Sequence, residues 1–527
     1  MNRPAGNAAP LLRYVGVPAA DGSALATVIV DAQQPVSEVT LLWRSPYGRA
    51  AHLGEAFGWA RRGFRVVLQD VRGRHDSEGT FEPYQNERAD GLATLEWIAR
   101  QGISGAIITY GASYAAHCAL APAGATPLAG VLATVPALDH ASCIRERNGA
   151  PRLYAHAQWW LEHGDTRIPR GPLLDLLAAG DPDLFAAIPV AQLPARWGIE
   201  LPGFAAAWNR TTDHPTTSGM NLLRSWWARA TEPIPPLLCI GGWADACTDD
   251  ALQLWQEWPH PSARLLIGPW AHTLRAPVDT HWGAVGTAKV GALAASWVDD
   301  EDGVRSRGTR ALISSPRCLA GTRVAPTPGW SRWDRYPPGP PTDTPQVEHT
   351  LDARTATTFD ADPWYPHPSR LGHVPVDDVL VRTDAAVFGS ARVQEGVVLG
   401  APRVLLDGLG STPGGVVIDW AIRLILQAPD TPALQVGTAC VRTADTRTET
   451  SLPAVHLIVP DGSRWQVQIT AHQFPLYPRD PQTGENPLTA TDLRSARRSI
   501  STVLLLLPGA SDPADCSEEV TALWSRP

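Results

Sequence analysis

The chain has 527 residues, long enough for about three or four domains and several hydrophobic cores. With 44 basic against 53 acidic residues, 18% charged and 44% hydrophobic, it reads as a folded globular protein with a formal net charge of −9. No basic run offers a footprint for phosphate backbones, which argues against nucleic-acid binding. No apolar run approaches the roughly 18 to 20 residues that cross a bilayer, and Met1 to Tyr14 has no basic stretch followed by an apolar core. The expectation is a soluble cytoplasmic protein without a membrane partner. The seven cysteines (Cys118, Cys143, Cys239, Cys247, Cys318, Cys440, Cys516) are scattered without C-x-x-C spacing, so neither a zinc site nor a disulfide framework is signalled.

In chain order, Ala24–Val30, Val39–Trp43, Phe64–Gln69 and Ala106–Tyr110 read as short strands. Between the last two, Leu92, Leu95, Ile98 and Ala99 recur at helical spacing within Arg88–Arg100, and strand–helix–strand implies a parallel sheet. Tyr114–Leu120 is helical in composition and Val131–Val135 reads as a further strand. From about Ser142 to Glu232 no strand is evident. This tryptophan-rich stretch, with helix-like pieces such as Pro172–Ala179, reads as a helical insertion. The α/β pattern resumes with strand Leu237–Gly241, helix Asp249–Trp258 and strand Ala263–Ile267. Gly329–Pro341 reads as a proline-rich connector. Beyond it come short strands: Val417–Leu426, with Ile418, Trp420, Ile422, Leu424 and Leu426 on one face and Asp419 and Arg423 on the other, then Val455–Val459, Trp465–Thr470 and Thr502–Leu507. The expected fold is therefore α/β: an interrupted α/β domain (1–141 and 233–323) with an inserted helical cap (142–232), as in a capped enzyme, followed by a C-terminal all-β jelly-roll domain (324–527).

The chemistry concentrates at strand ends. In Ala106–Leu120 an apolar strand runs into Gly111-Ala112-Ser113 and then a helix of small residues, a turn that strains the serine and exposes its hydroxyl. The usual glycine two residues after such a serine is Ala115 here. A serine needs a histidine to take its proton and a carboxylate to orient that histidine. Asp245 follows the strand ending at Gly241, and His272 follows the strand ending at Ile267, about one strand–helix–strand step apart. Taken singly, Asp245 also fits a helix cap and His272 a loop histidine, while His117 reads as a packed helix residue. Together, Ser113, Asp245 and His272 have the residue types and chain order of an α/β-hydrolase triad.

These residues and several longer segments resemble the serine hydrolases typified by cocaine esterase, a family that includes X-prolyl dipeptidyl aminopeptidases and α-amino-acid ester hydrolases. The segments are Arg44–Gly48 (RSPYG), Gly63–Gly79 (GFRVVLQDVRGRHDSEG), Asp90-Gly91 with Glu96–Ala99, Tyr110–Tyr114 (YGASY), Gly242–Asp245 (GWAD), Gly268–His272 (GPWAH) and Phe474–Pro487 (FPLYPRDPQTGENP), where the family's usual asparagine is Asp480. The resemblance implies Ser113 as nucleophile, His272 as base then acid, Asp245 as orienting carboxylate, and an oxyanion hole from the Tyr47 hydroxyl and the Tyr114 backbone N–H. It implies no cofactor and no metal. Arg72, Arg74 and Asp76 are expected to form structural salt bridges. Trp159, Trp160, Trp226, Trp227, Trp243 and Trp270 are candidate walls of an apolar acyl pocket, or else core. Amino-acid ester hydrolases carry acidic residues two and three positions after the triad aspartate, and here these are Cys247 and Thr248, with Asp249 and Asp250 beyond. The expectation is an esterase, less readily an amidase, acting on a small molecule with an apolar or aromatic acyl group. The alternatives are an acyltransferase or cyclase of a natural-product pathway and a non-catalytic binding protein using the jelly roll. A second copy of the chain, in a homodimer, is the one macromolecular partner expected.

Overall fold

The structure, a computed structural model, describes the chain except residues 1–10, 172–183, 214–218, 276–279, 282–289, 320–329, 334–345, 362–383, 411–415, 510–513 and 516–527, and short stretches at 33–34, 36–37, 104, 147–148, 301–302 and 304. The helix expected at Pro172–Ala179, most of the connector, and Cys516 lie outside the described residues.

An eleven-stranded sheet forms the frame. Its order is β1 (Leu11–Pro18), β2 (Ala24–Asp31), β4 (Arg65–Asp70), β3 (Thr40–Ser45), β5 (Ile107–Ala112), β6 (Gly130–Thr134), β7 (Leu237–Gly242), β8 (Ala263–Gly268), then Ala311–Ser314, Ser331–Trp333 and Ala514–Asp515. From β4 through Ala311–Ser314 the strands run parallel. Those strands are buried on both faces, as near-continuous apolar runs such as LLCIGG and ARLLIG require. One core, which includes Trp43, Trp59, Leu68, Ile240, Leu266 and Trp297, covers one face, and another, with Leu132's neighbours Val131 and Ala133, Cys239, Leu254, Trp255 and Ile267, covers the other.

Helices α1 (Arg49–Arg61), α2 (Glu87–Arg100) and α3 (Tyr114–Leu120) follow β3, β4 and β5. Between β6 and β7 the chain makes α4 (His140–Ile144), α5 (Leu153–His163) and the helices Pro202–Asp213 and Gly219–Trp227, with no strand among the described residues. Leu153, Trp160, Phe185, Leu193, Phe204 and Trp208 give this excursion a core of its own. No helix among the described residues is long and apolar enough to cross a membrane.

The C-terminal part is β-rich. Two antiparallel sheets, one built on Arg403–Gly410 and Ala496–Pro508, the other on Ile418–Gln427, Leu434–Thr443 and Arg464–Thr470, share one core that includes Leu406, Leu505, Trp420, Ile422 and Val467. One sequence expectation changes here. The supposed connector contributes Ser331–Trp333 to the eleven-stranded sheet, between Ala311–Ser314 and Ala514–Asp515, and three residues are too few to show a period of two in the sequence. On the face of Ile418–Gln427 opposite the apolar one, Asp419 and Arg423 are both buried. Beside them Asp480 pairs with Arg498 at 2.5 Å, both fully buried, and Asp480 Oδ2 accepts the Asp419 N–H at 2.9 Å.

Candidate active site

Three strand ends converge. Ser113 sits between β5 and α3 with φ 57° and ψ −123°, a strained conformation held by its N–H on the Thr134 carbonyl (2.9 Å) and its carbonyl on the Ala116 N–H (3.0 Å). The turn closes only because Gly111 has no side chain: a Cβ there would meet the Ala115 carbonyl oxygen at 2.0 Å. Ala115, at the position where glycine is usual, is itself buried in the core and tolerated.

The loops after β7 and β8 brace each other. Trp243 N–H donates to the Gly268 carbonyl (2.8 Å) and Ala244 N–H to the Trp270 carbonyl (2.9 Å), an approach that a Cβ on Gly242 would block at 2.1 Å. Thr248 Oγ1 closes the first loop by donating to the Gly242 and Asp245 carbonyls. This bracing sets Asp245 beside His272: Nδ1 lies 2.8 Å from Asp245 Oδ1, and Nε2 lies 3.0 Å from Ser113 Oγ. With Nδ1–H donating to the carboxylate, Nε2 is the acceptor that a serine hydroxyl requires. The Asp245 side chain is 1% exposed and that of His272 46%. Burial pulls the imidazole pKa down, but the Asp245 charge and hydrogen bond outweigh it and raise it above its ordinary 6.5.

Tyr47, half-buried after β3, contacts the Ser113 and Trp159 side chains and the Tyr114 backbone. Burial pushes its phenol up to about 12, so at neutral pH it is a donor. Its loop is fixed: Tyr47 N–H donates to Ser45 Oγ (3.1 Å), and the buried Arg74 donates through Nε to the Pro46 carbonyl (2.9 Å) and through Nη1 to the His163 carbonyl of α5 (2.9 Å). Arg74 was expected in a salt bridge. Instead it ties three carbonyls across the α/β part and the helical excursion, whereas Arg72 does pair with Asp90 (2.6 Å) and Asp76 with Arg49 (2.6 Å). Behind Ser113 the Tyr114 hydroxyl donates to buried Glu87 and accepts the Tyr84 N–H (2.8 Å).

The tryptophans divide. Trp159 lies over Tyr114, 6.5 Å and nearly parallel, and 5.1 Å from the His140 ring. Trp160 lines a neighbouring cavity of about 390 Å³ with Tyr84, Asp139, His140 and Arg210, and its Nε1 donates to His140 Nε2 (3.0 Å). Trp226 and Trp227 pack the excursion onto the α/β part, Trp226 under Arg88 and Trp227 edge-on to Trp258. Trp243 and Trp270, 2% and 1% exposed, are core residues rather than pocket walls: Trp243 donates to Ser314 Oγ (3.0 Å) and Trp270 packs on Trp330. His117 is packed, its Nδ1 2.6 Å from the Leu138 carbonyl. Phe81, Tyr84, His140 and Cys143, which gather around Tyr47, Tyr114 and Trp159, were not foreseen and carry no motif that would have marked them.

Residues 21–274 match the family described as X-Pro dipeptidyl-peptidase (S15 family). This match agrees with the family resemblance read from the motifs. Among curated proteins, cocaine esterase from Rhodococcus sp. (strain MB1 Bresler) is 29% identical over 287 residues, covering 49% of this chain and 48% of that one, so the match spans about half the length of each. Solved structures with the same fold include an aminopeptidase from a marine sediment Thaumarchaeota archaeon (TM-score 0.72, 19% identity, 97% of this chain and 98% of that one) and a CocE/NonD family hydrolase from Staphylococcus aureus (0.62, 14%, 95% and 94%). An α-amino acid ester hydrolase is likewise similar in fold (0.67, 19%, 96% and 98%).

Proposed function

We propose that this protein is a serine hydrolase that cleaves an ester, less readily an amide, through an acyl-enzyme on Ser113. The observation that carries this reading is the unbroken chain of contacts from Asp245 through His272 to Ser113, at 2.8 and 3.0 Å. Ser113 Oγ attacks the carbonyl carbon as His272 Nε2 takes its proton, and the negative oxygen rests on the Tyr47 phenol and the Tyr114 N–H. His272 then returns the proton to the leaving group. In the second half, water attacks the acyl group by the same route. Asp245 holds the Nδ1 proton and stabilises the transient imidazolium throughout.

The aromatic surroundings of the nucleophile, Trp159 above Tyr114 with Phe81 and Tyr84 alongside, support an apolar or aromatic acyl group. A cationic amino-acid substrate finds less support. Thr248 Oγ1 is engaged with two carbonyls, and Asp249 Oδ1 accepts the Ala454 N–H from the β-rich part at 3.1 Å. The jelly-roll connectivity of that part belongs to the same reading, supported by its two antiparallel sheets around one core. So does a reducing, cytoplasmic setting, supported by the free thiols Cys118, Cys143, Cys239, Cys247 and Cys440.

Ser113→Ala should abolish hydrolysis of p-nitrophenyl esters and labelling by a fluorophosphonate while the protein still folds. Wild-type rates in that variant would exclude the assignment. Adding a competing alcohol or amine and analysing the products separates hydrolysis from acyl transfer.

A further inference from the structure

We propose that Asp245, Cys247 and His272 also form a binding site for a thiophilic divalent cation of the Zn2+ type, and that filling it switches the hydrolase off. Each side chain offers one donor atom (a carboxylate oxygen, a thiol sulfur and an imidazole nitrogen), and all three atoms lie within 4.8 Å of one another. The Cys143 side chain of α4 hydrogen-bonds with the Cys247 thiol and stands next in line as a fourth donor. Asp245 is 6% exposed, yet its Oδ2 has no hydrogen-bond partner, so this carboxylate has an acceptor position that the triad does not use.

The geometry needs little change. Zinc bonds of about 2.0 to 2.1 Å to oxygen and nitrogen and about 2.3 Å to sulfur put tetrahedral neighbours about 3.3 to 3.6 Å apart. The Nδ1···Oδ1 pair, now 2.8 Å, would open by about half an ångström, and the sulfur would close by about 1.3 Å at most. His272, nearly half exposed, gives both the entry path and the freedom to make that shift. A mixed sulfur, nitrogen and oxygen donor set favours zinc or cadmium over magnesium or calcium.

One proton is released on binding and another changes place. The Cys247 thiol gives its proton to water, and the neutral imidazole shifts its proton from Nδ1 to Nε2 as the cation takes the Nδ1 lone pair. An Nε2–H can donate to Ser113 Oγ but cannot accept from it, so the base is lost without any competition for the acyl pocket. This effect on activity rests on the triad reading above. Binding of the cation does not.

The two are therefore measured separately. Co2+ titrated into the wild-type protein and into Ser113→Ala should develop a thiolate-to-cobalt charge-transfer band in both, and Cys247→Ser should lose it. Zn2+ should inhibit p-nitrophenyl ester hydrolysis reversibly with EDTA, and Cys247→Ser, with basal activity close to wild type, should need roughly tenfold more Zn2+ or higher for the same inhibition. Mg2+ and Ca2+ should do nothing. Equal Zn2+ sensitivity in the parent and Cys247→Ser, or no charge-transfer band in the wild type, overturns the proposal. If the serine variant does not fold, Cys247→Ala takes its place and the wild-type spectrum alone still decides. A cobalt band in a protein with no esterase activity would keep the site and refute the hydrolase reading instead.

Discussion

Removing one oxygen tests the oxyanion hole. Tyr47→Phe deletes the phenol and keeps the ring, which packs edge-on to His163 at 5.0 Å and beside Tyr114 and Cys118, so no cavity opens and stability should change little. The loop stays braced by Ser45 Oγ and Arg74, neither of which bonds the hydroxyl. What is lost is a donor fixed in place before the reaction starts, and such donors are each worth roughly 10²- to 10³-fold in kcat, about 2.7 to 4 kcal/mol. The Tyr114 N–H remains as the second donor, so some activity should survive, unlike in Ser113→Ala. Because the donor is aimed at charge present only in the transition state, KM should be nearly unchanged. Steady-state kinetics on p-nitrophenyl acetate and butyrate provide the assay, with thermal unfolding as the control. A kcat within about threefold of wild type in a folded Tyr47→Phe protein would refute the role of this phenol.

The pH profile and a buried ion pair supply further expectations. The reaction needs a neutral His272, whose pKa is raised above 6.5 by Asp245, so kcat/KM should fall as pH drops through a midpoint above 6.5. In Asp245→Asn the opposing carboxylate is gone while burial remains, so the imidazole midpoint, followed by NMR, should move below 6.5, and kcat should fall by about 10⁴-fold. A midpoint that does not move would separate Asp245 from His272 electrostatically. In the β-rich part, Asp480→Ala leaves the Arg498 guanidinium buried without its counter-charge, at a cost of about 3 to 5 kcal/mol in chemical denaturation of that unit. Asp480→Asn should cost less, because its amide oxygen can still accept from the Asp419 N–H and from Arg498, and equal losses in the two variants would contradict this account.

How legible the site was depends on the range of the interactions that build it. Ser113, Asp245 and His272 could be read because each follows a strongly apolar strand directly, and parallel strands deliver their carboxyl ends to one edge of the sheet. The Gly111 and Gly242 positions carry a local signal as well, since each loop closes only where a Cβ is missing. Trp243 and Trp270 left two readings open, pocket wall or core, for the same reason that their neighbours were found. They sit two residues before Asp245 and His272, an offset that strand alternation would put on the same side, but here the chain has left its strands for turns, and the indoles pack into the core. Arg74 was assigned a carboxylate because arginines among aspartates usually find one, but its partners Pro46, His163 and Thr166 are carbonyls up to 92 residues away, and backbone carbonyls leave no trace in composition.

The same limit explains the β-rich part. Alternation in Ile418–Gln427 separates an apolar face from one bearing Asp419 and Arg423, but carries no sign of what covers the second face, which is buried as well. That face is covered by a distant segment, where Tyr477 packs against Ala150 and Ala421 and donates to Glu146 at 2.7 Å, while Glu146 pairs with Arg152 at the start of α5. Burying such polar groups is tolerable only when each finds a partner, and here the partners come from the helical excursion and the β-rich part together. The polar face is thus a joint between two units, and it lies on the side from which α5 carries Trp159 to the nucleophile. A change at Glu146 or Tyr477 acts first on how α5 is held and only through it on Ser113, so its effect should fall on acyl-group preference before it falls on the triad's own proton transfers.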